Sequence, residues 1–317
     1  MYYPFFRGKK FELIAIAESA KLMADSGFTP IIEPVSPEVG FLEKTLSSIN
    51  ANKGEAIVII NPPSIVSHNP DDITKKISAI LLKNITDNHN NLTAGIMLHE
   101  GMPLEEIYHL YRSNVNLHPS FIYTGFNNPK KFSTEITPRK HIFFEKYYPY
   151  QKHLAYFPDS PHIVLRDGFR KRNNKEYPPA EDFPSLYNTF KDTQIDGFGD
   201  FQIVGDYFSN QKNGGHIRAV AIHLTTILSE GMVIYHFVSD THQSNGTVNT
   251  PGMFYNALTK MINFLDSSSG QNIKSAAIDT LYNYYTSEFF STLGDIKRLS
   301  INHHIEILSQ VFSTHKK

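Results

Sequence analysis

The sequence predicts an α/β chain folded as a TIM-like (β/α)8 barrel with an inserted β-hairpin and C-terminal helices. Three observations predict it. Short, continuously apolar segments alternate with amphipathic helical ones, the pattern of a parallel sheet covered on both faces. About eight such strand segments can be counted, the number a closed barrel needs. The 317 residues exceed an ordinary domain but suit a barrel folding as one unit.

"YYPFF" reads as a strand, and "KKFELIAIAESAKLMADSG" as a helix ended by Gly27, with Phe11, Ile14, Ala15 and Leu22 as its apolar stripe. "TPIIEPV" is a buried strand between prolines, "VGFLEKTLSSINANKG" a helix, and "EAIVIINPP" a strand that Pro62 and Pro63 stop. The acidic start of "DDITKKISAILLKNITDN" suits a helix N-terminus. Strand "LTAGIML", helix "PLEEIYHLYRSN" and strand "SFIYTGF" come next. Beyond "NPKKFSTEITP" the signal weakens, and "KHIFFEKY", "HIVLRDGF" and "DFQIVGD" complete the strands. The expected organisation is one domain over 1–317, with an exposed polar loop at 170–185, a hairpin insertion around "SEG" at 216–240 and helices at 251–317, two of them separated by Gly270.

Composition narrows the function classes. Hydrophobic residues make up 40% and charged residues 19%, enough for a sizeable core and against disorder. Thirty Lys+Arg against thirty-one Asp+Glu give a net charge of -1, which makes nucleic acid an unlikely main partner. No cysteine is present, so thiolate metal sites and Cys nucleophiles are excluded and a cytoplasmic setting is expected. Glu12 and Glu18 interrupt the N-terminal apolar run, so no signal peptide is expected, and no stretch predicts a transmembrane helix.

"YYPFFRGKKFELIAI", "PIIEPV", "DGFGDFQIVGD", "AVAIHLT" and "HFVSD" resemble a bacterial group of uncharacterised proteins that is similar to the phage "beta protein" family. The resemblance covers most of the chain. It implies a TIM-barrel-like fold and a phage-defence or mobile-element setting, and it carries no catalytic assignment.

The stretch "DGFGDFQIVGD" resembles a phosphate or calcium loop but fails each template. A dinucleotide fingerprint needs a third glycine where Gln202 stands, and its glycines come after a strand whereas these precede one. A P-loop needs a lysine, and an EF-hand needs alternating oxygen ligands. With Phe201 to Gly205 extended, Asp200 and Asp206 lie roughly 20 Å apart and cannot share an ion. Asp206 then falls at the C-terminal mouth, where barrel chemistry gathers, and Asp200 at the opposite face. Asp196 and Asp200 read as turn residues bonded to backbone amides.

The other strand ends place Arg7, Glu33, Asn61, His99 with Glu100, Tyr123, Glu145 and Asp167 around the same mouth. Such a ring suits Mg²⁺ or Mn²⁺, or a general acid and base whose pKa values are pushed apart by crowding. The structural alternative is that Glu33 accepts backbone N–H bonds or pairs with Arg7. No HExxH and no GxSxG occur. His223 and His236 fall in the hairpin, on one face if its turn has two residues and on opposite faces if it has three. His303 and His304 are expected at the surface. Arg166, Arg170, Lys171, Arg172 and Lys175 form a basic run, by default a solvated loop and otherwise an anion or RNA contact. The tyrosine-rich "KYYPYQKHLAYF" and "LYNYYTSEFF" are candidate partner-binding surfaces.

These residues are compatible with two functions. The first is a metal-assisted or acid/base enzyme acting on a small or phosphorylated substrate. There Glu33, Glu100, Asp167, Asp206 and His99 are the catalytic groups, and Arg7, Lys9, Asn61 and Tyr123 bind substrate. The second is a non-catalytic recognition protein working with a separate effector.

Overall fold

The computed structural model describes residues 1–65, 70–84, 91–131, 135–147, 151–207, 219–240, 243–244 and 247–313. Residues 148–150 of the first tyrosine-rich segment, 216–218 of the expected hairpin and 314–317 of the helical tail lie outside them. Where the sequence predicts one domain, contacts divide the chain into two compact units. One comprises 1–167 with 186–201, the other 168–185 with 202–317.

In chain order the strands are β1 (Phe5–Phe6), β2 (Ile31–Ile32), β3 (Ala56–Ile59), β4 (Leu92–His99), β5 (Ser120–Thr124), β6 (His141–Phe144), β7 (His162–Leu165), β8 (Ala180–Asp182), β9 (Gly197–Gly199), β10 (Ala221–Leu228), β11 (Gly231–Val238), β12 (Gln243–Ser244) and β13 (Thr247–Val248). The helices are α1 (Lys10–Ser26), α2 (Gly40–Ala51), α3 (Pro70–Asn84), α4 (Leu104–Ser113), α5 (Gln151–Leu154), α6 (Thr250–Leu265), α7 (Ala276–Thr286) and α8 (Leu293–Ser313). Strands β1 to β7 and then β9 pair in parallel as one eight-stranded sheet. This is the expected barrel, nearly closed and alternating with helices.

Alternate residues of each strand point inward. Phe5, Ile31, Ile57, Ile59, Met97, Ile122, Ile142, Phe144, Ile163 and Leu165 form one buried cluster with Tyr3 and Phe201. Their neighbours in sequence face outward, as the period of two requires. Helix α1 ends at Gly27 in the left-handed conformation, as expected. Its buried stripe runs through Leu13, Ile16, Ala20 and Met23, whereas Phe11, Ile14 and Leu22 of the predicted stripe are half-buried and only Ala15 is fully covered. The stripe turns because Glu12 is drawn under the chain, where its carboxylate accepts the Arg7 N–H at 2.8 Å.

The last barrel strand corrects the sequence reading. Phe201–Gly205 is not extended; the strand is Gly197–Gly199, the segment read as a turn. The cause is the closure. Phe198 N donates to Met1 O, Tyr3 N to Phe198 O and Phe5 N to Asp200 O, all within 2.8–2.9 Å. A Cβ at Gly199 would fall 1.9 Å from Tyr3 O, and one at Gly197 2.6 Å from the Tyr3 ring. Only glycine admits the first chain segment this closely.

On the outer face of β5 to β7, His141, Tyr123 and His162 are buried beneath His153 of α5. The Tyr123 hydroxyl meets His141 Nδ1 at 2.8 Å, and the His141 ring lies 4.9 Å from His153 and 5.3 Å from His162. Burial, with mutual repulsion added, lowers His141 to about 2 and His153 to about 3, and it lowers His162 as well.

The second unit is a three-stranded antiparallel sheet in the order β10-β11-β8, packed by α6, α7 and α8. Its hairpin turns through Ser229 and Glu230, two residues, so His223 and His236 pair directly on one face. The segment 170–185, expected as loop alone, supplies β8. Gly270 separates α6 from α7 as expected. His303 and His304 are fully buried rather than at the surface. His303 Nε2 donates to Thr225 O at 2.7 Å, and His304 Nδ1 lies 2.9 Å from Thr225 Oγ1. Strand β10 is the sheet edge, and α8 covers it, satisfying a backbone carbonyl that a further strand would otherwise take.

Gly199→Ala is expected to destabilise the barrel by about 3 kcal/mol, read as a lowered urea midpoint; an unchanged midpoint would remove the closure argument. The histidines give a pH dependence of known sign. Their folded pKa values lie below the unfolded value of about 6.5, so their contribution is complete above that pH. It falls below it by ~1.4 kcal/mol per pH unit for each proton. His153→Phe should make the slope of unfolding free energy between about pH 6 and 4 shallower by one proton.

Candidate functional site

The predicted ring at the barrel mouth exists in part, and its members are engaged by the protein itself. Glu33, with 0% of its side chain exposed, pairs with Arg7 and accepts from the Ser64 hydroxyl; Ser64 N also approaches it at 3.3 Å. The Arg7 guanidinium lies 5.2 Å above the Phe5 ring. Asn61 clamps two strand ends, donating to Met97 O at 2.9 Å and accepting from Met97 N at 2.8 Å. Arg166 grips Glu145 with two bonds of 2.7 Å. Asp200 is buried and accepts from Tyr2 OH at 2.7 Å.

Other predicted residues lie apart from this group. Tyr123 faces outward, as described, because its place in β5 has outward parity; it is not a mouth residue. His99, the last residue of β4, and Glu100, in the turn that follows, are exposed, with His99 Nδ1 donating to Glu100 O at 3.0 Å. Lys9 is exposed at the N-cap of α1, and Asp167 is exposed at the end of the unit. Asp206 lies in the second unit, beyond the turn that replaces its expected strand, so Asp200 holds the strand-end position instead. Asp196 behaves as a turn residue, accepting His162 N at 2.7 Å.

The mouth is also filled. Phe5, Phe144 and Phe201 meet with ring centroids 5.1–5.2 Å apart and close the interior at this end. A cleft of about 720 Å³ opens at the opposite end, where β7 and β9 begin, lined by Asp159, His162, Gln194 and Asp196 among others. Among the described residues no three His, Asp or Glu groups are placed together to hold a metal ion.

A second polar constellation, in the smaller unit, was half legible. His223 and His236 meet at 2.7 Å through their Nδ1 atoms, and His236 Nε2 lies 3.2 Å from Glu181 Oε1. Glu181 also accepts from both Nη atoms of Arg172, one at 2.8 Å, with Arg170 Nη1 at 3.6 Å. Arg172 and His236 hold the Glu181 carboxyl below its ordinary range, with burial opposing. Burial and His236 lower His223 to about 3. Tyr177 and Phe169 wall the pair, 4.8 and 5.2 Å from the His223 ring. The sequence marked both histidines and both arginines but not Glu181, whose place opposite Ile234 depends on the pairing of β8 with β11.

Comparison with known proteins finds no matching family model, curated protein or solved structure. The likeness to the phage beta protein family therefore rests on the quoted residues. No helix among the described residues is long and apolar enough to cross a membrane.

Glu33→Gln leaves Arg7 without its counter-charge and should cost about 3 kcal/mol of unfolding free energy. A Glu33 kept in readiness for substrate would show little loss or a gain on neutralisation; chemical denaturation distinguishes the two.

Proposed function

We propose that the chain is a recognition component that acts with a protein partner, its barrel serving as scaffold rather than as a seat of chemistry. The observation that carries this reading is the state of the mouth. Glu33, Asn61, Glu145 and Asp200 each bond to the protein itself, and three phenylalanines fill the space between the strand ends. Acid/base catalysis needs a group with a lone pair or proton to offer and a cavity beside it. The ring supplies neither at these four residues.

The tyrosine-rich segment expected as a partner surface supplies a site of the other kind. Tyr255 of α6 stacks on Tyr285 of α7 at 5.4 Å, and Phe289 and Phe290 come next in the connection to α8. Phe289 is 52% exposed, with Phe290 and Tyr255 close to two-fifths. Rigid aromatic side chains with few rotamers are the residues that anchor protein interfaces. Neighbouring aromatics held in water on one unit mark an interaction site more often than chance. The phage-defence or mobile-element setting implied by the resemblance is the one we propose for the partner.

The test is affinity capture from the native host with wild-type protein and with Phe289→Ser/Phe290→Ser. Both positions are exposed, so the variant's thermal midpoint should stay within a few degrees. A stoichiometric partner retained by wild type and lost at least ~10-fold by the variant is expected. Equal recovery on both, or no stoichiometric partner, overturns the reading.

A further inference from the structure

At the end of the barrel opposite the mouth, where β5 and β6 begin, lies another cleft, of about 480 Å³. Val115, His118 and Pro119 line it from the α4–β5 connection, and Thr137, Pro138 and Arg139 from the approach to β6. Tyr111 of α4 completes the lining, and all seven residues belong to the first unit. Two bonds tie the walls together. Arg139 N donates to Pro119 O at 2.8 Å, and the Tyr111 hydroxyl donates to Thr137 O at 2.9 Å. With a proline fixing φ in each wall, the cleft is formed before a ligand arrives. Its volume falls in the small-molecule range of roughly 300–1,000 Å³.

The chemistry of the cleft is one-signed. Arg139 brings a guanidinium whose five N–H groups can serve more than one acceptor. His118 brings an imidazole, which carries at least one N–H donor in either protonation state. Among the described residues that line the cleft, none is Asp or Glu. The positive charge also reaches the next residue. Burial first, and the Arg139 charge second, push the Lys140 amine down, with Glu55 opposing. Between the cations lie apolar surfaces, from Val115, the two prolines and the Tyr111 ring.

The backbone at His118 points the same way. Its φ is +46°, the left-handed region, at the end of the short turn Val115–Leu117, where its N–H donates to Val115 O at 3.0 Å. A side chain there costs free energy that glycine avoids. The chain thus carries an imidazole in the cleft lining against the preference of its own backbone.

We propose that this cleft binds a small organic carboxylate. The carboxylate meets Arg139 and His118, and the apolar body rests on Val115, Pro119, Pro138 and the Tyr111 ring. A guanidinium presents paired N–H groups that match the two oxygens of a carboxylate. The site stands apart from the aromatic surface proposed above, which lies in the other unit.

3-Phenylpropionate and its neutral amide, titrated separately into the full chain, provide the test. The two share a shape and differ in charge. Calorimetry gives the affinities, and the ring-proton signals of His118 locate the binding. The acid should bind at least ~10-fold tighter than the amide and shift the His118 signals. Arg139→Gln should weaken the acid by ~10-fold and leave the amide unchanged. His118→Gly removes the imidazole and relaxes the backbone, so it should weaken the acid by ~5-fold while the urea midpoint holds or rises. Equal affinity for acid and amide, unmoved His118 signals, or acid binding indifferent to Arg139→Gln overturns the proposal. So does a urea midpoint that falls in His118→Gly, because the imidazole would then serve the fold.

Discussion

The barrel depends on one backbone approach. The first chain segment, Met1 to Phe5, and the last strand, Gly197–Gly199, come together with Tyr3 O where a Gly199 side chain would be. Eight parallel strands have free backbone edges until first and last meet, and unpaired N–H and C=O groups on a buried edge are costly. Two glycines flanking Phe198, whose side chain takes the outward face, satisfy both edges at once. The approach also positions the next two residues, Asp200 at the strand end under Tyr2 and Phe201 across the interior against Phe5 and Phe144. The contents of the mouth are therefore a consequence of how the sheet closes.

Strands β1 to β5 were legible because each is an apolar run bounded by helix or proline signals, and β6 and β7 were found by their apolar runs alone, where the helical signal weakens. β9 was not, because "GFG" has low strand propensity while the adjacent "FQIV" looks extended. Its conformation is set by residues nearly two hundred positions away in sequence, and no local rule contains that information. The same limit displaced Asp206 from the predicted ring. The Arg7–Glu33 pairing was legible, since adjacent parallel strands bring their ends together; whether the pair was free for chemistry was not, since that depended on Ser64. His303 and His304 were misplaced for a related reason. Two polar residues in sequence read as surface, but they meet the edge of β10 that no strand pairs, where polar side chains are needed inside.

Burial of imidazoles recurs in both units with different outcomes. Under α5 the rings of His141, His153 and His162 stack among Phe143, Phe157 and Tyr123, acting as flat aromatic packing groups. In the antiparallel sheet the pair His223 and His236 is tied to a carboxylate, which orders their tautomers from one end. The difference is the presence of Glu181. An anion at one end of a chain of neutral rings makes every hydrogen point the same way and leaves a lone pair at the other end.

The first unit is discontinuous: its chain leaves at Asp167, contributes 168–185 to the other unit, and returns at Leu186 to supply the closing strand. During synthesis this order has a cost in time. Until residue 199 has emerged, the first seven strands can form only an open sheet, with β1 and β7 as bare edges. At elongation rates of roughly 5–20 residues per second, that interval after β7 lasts on the order of seconds. An open parallel sheet with exposed edges is a template for pairing with another nascent chain. Moving the closing strand behind an excursion thus places the vulnerable step of this protein's life on the ribosome, ahead of any encounter with a partner.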